Sequence, residues 1–464
     1  MLKKTHLKTN KMKTKFILLL LLLIFFQSNA QCWKSIAAGF KSSVGVMTDG
    51  TLWSWGSDSN EQLGNGVNSS CNFPIQIGNM SNWKEIESAG TSYLALKTDG
   101  TIWSWGSNTL GQLGLGNNLA KNIPTQIGSQ NDWTFISACN AHCLGIKNNG
   151  TLWAWGWNGN GQIGNGSYSD VNYPIQIGTS TDWTSICAGY FHSMALKNNG
   201  TLWSWGYNSY GSLGNGNNTQ TNIPQQVGTD NDWSIIAAGT EHSFAIKTNG
   251  TLWGWGGNFF NQLGDSTTID SNIPMQFGSE TNWLNVKCGV KETFAIKSDN
   301  SLWSWGWNNN GELGNGVIQS NNTPPVMISN NVSKISTIAS HTLIIDNSNS
   351  LIALGLNSDG ELGNGSYTNS NSPILITSCS LDVNNITSNF KVKIYPNPVK
   401  NYLNINYSKE LTIKNISVFD CTGKLVIEEK SNFNEIDTKN LSSGIYVIKI
   451  YSEDNYQILK FVKE

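Results

Sequence analysis

The heptapeptide Gly50-Thr51-Leu52-Trp53-Ser54-Trp55-Gly56 decides the fold, because near-copies of it return along most of the chain. The copies lie at residues 100–106, 150–156, 200–206, 250–256 and 300–306, with a degenerate one at 350–355. They are 50 residues apart until the last, which follows after 49. A fixed period of this length is typical of solenoids, propellers and other repeat arrays. The chain is therefore a repeat protein with seven units.

Each repeat predicts four short β-strands. In the first repeat these start at Trp33, near Val44, in the heptapeptide and at Pro74, which we expect to open the fourth strand. Trp53 and Trp55 are two residues apart, so both rings point to one face of their strand. Large rings on one face suit blades that must bury that face against a neighbour. We predict an all-β, seven-bladed propeller over residues 32–377.

The composition argues against several functions. All 29 basic residues are Lys, and residues 33–376 hold 12 Lys against 21 Asp plus Glu. Because the Arg fork dominates specific recognition of phosphate and guanine, we expect no nucleic-acid partner. The sequence also lacks a nucleophile elbow and a phosphate loop that opens a helix. We therefore expect no catalytic residues, no cofactor and no enzymatic activity.

The first 30 residues predict a secretory signal peptide. Several Lys residues precede an apolar run at 16–26, and small residues follow as far as Ala30. Eleven apolar residues are too few to span a bilayer as a helix. Cys32 leaves a lipoprotein as an alternative. We expect an exported protein whose mature chain has no membrane span.

Two recurrent motifs carry a family resemblance. They are the loop G-x-N-x-x-G-x-L-G-x-G at residues 106–116, 156–166 and 206–216, and the segment at 189–196, Gly-Tyr-Phe-His-Ser-Met-Ala-Leu. Both resemble repeats of the regulator of chromosome condensation family, which forms seven-bladed propellers. A secreted bacterial member of that family binds β-lactamases through one face. The resemblance implies the propeller fold and suggests partner binding at a face, but it transfers no individual residue.

The tail resembles a second family. Residues 378–389 read as a polar linker, and residues 390–464 predict a small β-sandwich of about seven strands. The segments at 395–399, 418–424 and 441–447 resemble motifs of the C-terminal sorting domain of the Bacteroidetes type IX secretion system. That resemblance implies passage through the periplasm and contact between residues 390–464 and the type IX machinery. The product is then secreted or attached to the outer-membrane surface.

Comparing the repeats predicts a binding surface. Just after the third strand, repeats one and two carry mostly small polar residues, whereas the next four repeats carry aromatic rings. The aromatic residues are Trp157, Tyr207, Tyr210, Phe259, Phe260 and Trp307. Because small residues fill the same positions elsewhere, blade packing does not require the rings, and clustered exposed rings mark interaction surfaces.

We expect this face to bind a protein or a glycan, so that the chain acts as a binding or adhesion module. Two alternatives stay open. The rings could fold back over their own loops, or a propeller face could act as an extracellular polysaccharide enzyme.

One repeat position holds four histidines. His142, His192, His242 and His341 occupy it, with Ser or Glu in the other three repeats. We interpret it as a polar position that is hydrogen-bonded to neighbouring backbone. A ring of His around a metal ion is the alternative, but a wide ring does not bring ligands within about 2.1 Å of one ion. We therefore expect no metal site.

The cysteines divide into two groups. Cys139, Cys143, Cys187 and Cys288 occupy positions within the blades, where buried thiols are expected. Cys32 and Cys379 flank the propeller, and the two ends of a closed ring meet. In an exported protein these two thiols can oxidise, so we predict a Cys32–Cys379 disulfide, with Cys32–Cys71 as the rival pairing.

Overall fold

A computed structural model describes residues 32–338, 340–376, 392–407, 412–420, 424–452 and 456–464. Within these ranges the protein is all β, with 35 strands. None of the described segments forms a helix that is long and apolar enough to cross a membrane. The predicted signal peptide and linker lie outside the described residues, and the predicted domain limits stay predictions.

The predicted propeller is confirmed as seven four-stranded antiparallel sheets, each built from four consecutive strands. The first strands are β1 (Trp33–Ala38), β5 (Trp83–Ser88), β9 (Trp133–Cys139), β13 (Trp183–Ala188), β17 (Trp233–Ala238), β21 (Trp283–Cys288) and β25 (Val332–Thr337). The second strands are β2 (Ser42–Met47), β6 (Ser92–Lys97), β10 (His142–Lys147), β14 (His192–Lys197), β18 (His242–Lys247), β22 (Glu292–Lys297) and β26 (His341–Asp346).

The outer half of each blade consists of the remaining two strands. The third strands are β3 (Leu52–Gly56), β7 (Ile102–Gly106), β11 (Leu152–Gly156), β15 (Leu202–Gly206), β19 (Leu252–Gly256), β23 (Leu302–Asn308) and β27 (Leu351–Gly355). The fourth strands are β4 (Cys71–Gln76), β8 (Lys121–Gln126), β12 (Val171–Gln176), β16 (Thr221–Gln226), β20 (Ser271–Phe277), β24 (Gln319–Ser329) and β28 (Ser370–Ile376).

The first strand of each blade is innermost, because the first strands of neighbouring blades contact one another in a closed cycle. They surround a central channel. The fourth strand is the outer edge. The expectation that Pro74 opens this strand is wrong, because β4 starts three residues earlier, at Cys71. The strand tolerates Pro74 because its pairing with β3 shifts register between Cys71 and Ile75, where the ladder is already interrupted.

The second Trp of the third strand ties each of the first six blades to the preceding one. Trp105 is fully buried, and its Nε1 donates a hydrogen bond of 3.0 Å to the backbone oxygen of Gln62 in the first blade. Gly64 lies against this ring with a φ of +68°, and an added Cβ would come within 2.7 Å of Trp105 Cδ1. The loop position therefore requires glycine both for its backbone conformation and for the close approach of the ring.

The first Trp of the same strand faces the same neighbouring blade, as predicted, but lies at the periphery of the interface. Trp103 is partly buried and packs against the buried cluster that contains Ile75 and Ile77 of the first blade. The ammonium group of Lys97 lies 3.7 Å from the centroid of Trp103 and 4.5 Å from that of Trp83. Each of these rings contributes dispersion and cation–π attraction where the interface meets solvent.

Side-chain bonds close the ring between the seventh and first blades, and no strand is shared between the two sheets. Ser43 Oγ lies 2.8 Å from His341 Nε2. Trp55 Nε1 donates to the backbone oxygen of Glu361 at 2.8 Å. These contacts repeat those found between the other blades, so the last unit packs on the first as any unit packs on its neighbour.

The predicted C-terminal β-sandwich is also confirmed. One sheet contains β29 (Val392–Tyr395), β30 (Tyr402–Tyr407) and β33 (Glu435–Asp437). The other contains β31 (Ile413–Phe419), β32 (Leu425–Glu429), β34 (Gly444–Ser452) and β35 (Tyr456–Lys463). Leu403 and Ile405 of the first sheet share one apolar core with Ile416 and Ile448 of the second.

Candidate interaction face

Two sets of loops meet at one end of the propeller, which we call the loop face. The short loops between first and second strands and the long loops between third and fourth strands both lie there. Backbone bonds join the two sets: Trp157 N donates to Ala141 O at 2.8 Å, and Tyr207 N donates to Phe191 O at 3.0 Å. Side chains from separate parts of each repeat are thereby brought together.

A first aromatic cluster forms on the loop face across blades three and four. Phe191 lies at its centre, with its ring centroid 5.7 Å from that of Trp157 and 5.7 Å from that of Tyr207. Tyr190 packs on Phe191 at 4.7 Å, and Tyr210 lies 6.3 Å from Tyr207. Trp157 and Tyr207 are half-buried by these contacts, whereas Tyr210 remains 41% exposed.

A second aromatic cluster lies on blades five and six. Phe260 contacts Phe259 at 4.9 Å and Trp307 at 4.6 Å between ring centroids. The ammonium group of Lys291 lies 4.3 Å from the Phe260 centroid and 5.2 Å from that of Trp307. Phe259 remains 71% exposed, so this cluster presents one ring almost entirely to solvent.

A notch separates the two clusters, which together we call the aromatic patch. At the position that holds Trp157, Tyr207 or Trp307 in neighbouring blades, the fifth blade has Gly257. A Cβ added there would meet Glu241 Cβ at 3.3 Å and Tyr210 Cβ at 3.5 Å, so Glu241 and Tyr210 border the notch. Burial raises the pKa of the Glu241 carboxyl, and the nearby charge of Lys291 lowers it. The notch therefore combines a carboxylate with aromatic edges.

The structure places all six predicted residues on the loop face. The six residues form two clusters instead of six separate positions, because other side chains of the loop face pack beside them. These additional residues, which the sequence did not predict, are Tyr190, Phe191, Glu241 and Lys291. The missed residues belong to the short loops between first and second strands. Comparing that loop across repeats would have exposed Tyr190 and Phe191, because the corresponding residues in the second repeat are Gly90 and Thr91.

The histidine position bonds to a hydroxyl side chain of the next blade, a partner that the expected bonds to backbone did not include. His192 Nε2 lies 2.7 Å from Ser243 Oγ, and that hydroxyl donates to Ser212 O at 2.8 Å. Because the serine proton is committed to the carbonyl, His192 donates from Nε2. Burial lowers the pKa of His192 to about 4, which keeps the ring neutral at pH 7. The other three histidines of this position make the same contact with Ser193, Thr293 and Ser43.

The predicted disulfide involves one residue outside the described part of the chain, Cys379, and so stays a prediction. Cys32 is partly exposed just before β1. Cys71, its alternative partner, is buried at the start of β4. Cys143 replaces the serine of the blade contact, and its Sγ lies 3.5 Å from Gln112 O as a weak donor.

Family models match most of the chain. A model described as an RCC1-like domain matches residues 168–392, and models of the regulator of chromosome condensation (RCC1) repeat match residues 33–62, 49–96, 99–146 and 133–162. A model described as a secretion system C-terminal sorting domain matches residues 393–464. Among curated proteins, no sequence matches the chain.

Solved structures show a similar fold. Human WBSCR16 is 21% identical, with 70% of this chain and 93% of that chain covered and a TM-score of 0.63. Yeast RCC1 (Prp20), solved bound to Kap60, is 18% identical, with 76% and 87% covered and a TM-score of 0.64. Prp20p from Saccharomyces cerevisiae is 19% identical, with 75% and 88% covered and a TM-score of 0.64. At these identities the likeness establishes the fold alone.

Proposed function

Because the chain belongs to the regulator of chromosome condensation (RCC1) repeat family and ends in a secretion sorting domain, we propose that it is an exported binding module. The sorting domain makes it a secreted propeller protein. The finer proposal is that the aromatic patch of the loop face is the binding surface. The observation that carries it is the concentration of half-exposed rings on four neighbouring blades, where small residues suffice in other blades.

The chemistry of the patch favours a protein partner. Aromatic residues dominate the centres of protein interfaces, because they bury large areas with little loss of side-chain entropy. The rings here meet mostly edge to face, with interplanar angles of 70° for Trp157–Phe191 and 78° for Phe260–Trp307. This leaves an uneven surface rather than one flat platform for a sugar ring. The notch at Glu241 suits a Lys or Arg side chain of the partner, held by the carboxylate and the adjacent rings.

A binding experiment tests this proposal against a glycan partner and against catalysis. The purified protein is presented to arrays of extracellular proteins and of polysaccharides. A patch variant carries Trp157→Ser, Tyr207→Ser, Phe260→Ser and Trp307→Ser. A control variant carries serine at four exposed apolar residues of the fourth strands, Ile123, Tyr173, Ile223 and Ile273.

We expect a captured protein to be lost with the patch variant and kept with the control variant. Because the four replaced rings are half-buried, the patch variant should remain folded with a modestly lower Tm. Capture that survives in the folded patch variant contradicts the assignment of the surface. Capture of a polysaccharide alone would favour the glycan partner, and turnover of that polysaccharide would favour an enzyme.

The route of export is tested separately. We propose that residues 390–464 engage the type IX machinery and direct the propeller to the medium or the cell surface. Deleting these residues should leave the propeller in the periplasm, detected by fractionation with a periplasmic marker. A chain that lacks them and still reaches the surface would contradict this route, without bearing on the aromatic patch.

A further inference from the structure

The central channel carries charged side chains where the repeats otherwise place small residues. Glu87 of β5 and Lys287 of β21 occupy the same repeat position. The other five blades fill it with Ala37, Ser137, Cys187, Ala237 and Ser336. Five blades thus show that packing requires no charge at this position.

Strand register puts these two charges at one height in the channel. Glu87 pairs with Leu94 of β6, and Lys287 pairs with the equivalent Phe294 of β22. Their blades, the second and the sixth, are separated by two blades in the shorter direction around the ring. The carboxylate and the ammonium group therefore approach the channel from different sides.

A second pair lies one step along the channel. Glu85 and Lys334 share the repeat position two residues earlier, where Glu85 pairs with Leu96 and Lys334 with Ile345. The ammonium group of Lys334 donates to Lys34 O at 2.6 Å and is partly engaged. The two carboxylates thus follow each other on β5, and Lys287 is the ammonium group left for a ligand.

The channel encloses a cavity of about 260 Å³, lined by Glu85, Glu87, Lys287 and the thiols of Cys139, Cys187 and Cys288, among others. Within the described residues, Glu87 and Lys287 form no ion pair or hydrogen bond through their side chains. Burial raises the pKa of Glu87 to about 7, and the charge of Lys287 lowers it. Glu87 is partly buried and Lys287 is exposed to the channel, so each group can still bind a ligand or water of opposite charge.

We propose that the central channel binds a small zwitterion of the α-amino acid class, with its ammonium group at Glu85 and Glu87 and its carboxylate at Lys287. A cavity of about 260 Å³ lies just below the range of roughly 300–1,000 Å³ typical of small-molecule sites, which favours a compact ligand. The ligand carries the complement of the two charges that face the cavity. This site does not depend on the function proposed for the aromatic patch.

Isothermal titration calorimetry on the purified protein tests the site. The probes are glycine, L-alanine and L-serine, each compared with its N-acetyl derivative and its amide. We expect saturable binding of the free amino acids, and at least about tenfold weaker binding of both derivatives, because each lacks one charge-assisted contact. Glu87→Gln and Lys287→Met should each weaken binding by a similar factor.

Three further variants keep the result interpretable. Glu61→Gln and Lys121→Met remove charges outside the channel and should leave binding unchanged. The double variant Glu87→Lys with Lys287→Glu exchanges the two charges and should regain part of the binding that either single variant loses. Absence of saturable binding, equal binding of the acetylated probes, or unchanged binding by folded Glu87→Gln and Lys287→Met proteins would overturn the proposal.

Discussion

Phe40 of the first blade stacks on Tyr190 of the fourth, with ring centroids 5.9 Å apart and ring planes 28° apart. These blades are not neighbours in a ring of seven, so the contact crosses the mouth of the central channel on the loop face. Tyr190 also packs on Phe191. The aromatic patch and the cover of the channel therefore share one residue.

Removing this stacked pair should open the channel. Phe40→Ala deletes one ring of a pair worth about 0.5–1.5 kcal/mol, so the fold should persist. We expect Cys187, a partly exposed channel thiol, to react several-fold faster with a small thiol reagent. Peptide mass spectrometry measures this rate, and Cys143, a buried thiol that does not line the channel cavity, provides the reference. Equal acceleration at both thiols would indicate general loosening, and no acceleration at Cys187 would contradict the cover.

The blade contacts of the histidines should make stability depend on pH. Burial lowers the pKa of His192 to about 4 and that of His341 to about 3. An unfolded His titrates near 6.5, so between pH 6.5 and 4 the unfolded chain binds more protons than the folded chain. Stability contributed by these residues is therefore complete above pH 6.5 and is lost as the pH falls toward 4.

The variant His192→Gln isolates one of these titrations. We expect its free energy of unfolding, measured with urea, to fall less steeply with decreasing pH than that of the native protein. The difference should approach about 1.4 kcal/mol per pH unit, the value for one proton. Buried carboxyls with raised pKa values act in the opposite direction but equally in both proteins. Identical pH slopes would contradict the neutral, buried assignment.

Glu292 replaces histidine at the junction of the sixth and seventh blades and should destabilise it as the pH rises above about 4.5. Its Oε1 lies 3.1 Å from Thr337 Oγ1, and burial, with a contribution from Glu312, raises its pKa to about 8. Between pH 4.5 and 8 the unfolded chain loses this proton while the folded chain keeps it, so stability falls as the pH rises.

Glu292→Gln should therefore match the native protein near pH 4.5 and exceed its stability by about 2–4 kcal/mol at pH 8. Urea unfolding at both values measures the difference. Asp359→Asn serves as the control, because Asp359 pairs with the exposed Lys41 at 3.3 Å, and its loss should change stability little. A gain that is independent of pH would exclude titration of Glu292 as its cause.

Asp58 occupies the loop position that is asparagine in the other six repeats. Asn108 shows what the position requires: Oδ1 accepts from Leu113 N at 2.9 Å, and Nδ2 donates to Asn117 O at 2.8 Å and Leu119 O at 3.0 Å. Asp58 keeps the first bond, with Leu63 N at 2.9 Å. An ionised carboxylate cannot make the other two, and burial raises its pKa to about 6.

Asp58→Asn should stabilise the protein by about 1–2 kcal/mol at pH 7.5, since each restored hydrogen bond contributes on the order of 1 kcal/mol. The gain should shrink as the pH falls below 6 and the aspartate becomes protonated. Thermal unfolding at pH 7.5 and 5 measures both. The reverse change, Asn158→Asp, should destabilise by a similar amount, and failure of this mirror result would contradict the role of the amide.

The architecture could be predicted because the period and the strand pattern agree at every repeat. Trp33 and the Trp pair recur in register in the first six repeats, and the Asp49-Gly50 turn recurs as Asp-Gly or Asn-Gly in the first five. The start of the fourth strand could not be predicted, because the bulge that accommodates Pro74 depends on pairing with β3. The low strand propensity of proline, taken alone, placed Pro74 at the first position of the strand.

The site was only half predicted for a physical reason. Trp157 and Phe191 are 34 positions apart in the chain, and they meet because their two loops leave the sheet at the same end. Comparing the long loop across repeats identifies the aromatic residues of that loop, but it does not show which residues of the short loop pack against them. The charged residues of the channel were not predicted either. Glu87 and Lys287 become apparent only when the same inner-strand position is compared across all seven repeats.

The seam between the seventh and first blades has a mechanical consequence. It holds through side chains such as Ser43 and His341, through the indole of Trp55 and through single backbone hydrogen bonds, whereas the strands of each blade are joined by backbone ladders. The two ends of the propeller segment, at Trp33 and Ile376, belong to the blades on either side of this seam. A pull on the C-terminal tail during translocation would load that junction directly. The propeller should open first at this seam and then unfold blade by blade, starting with the seventh.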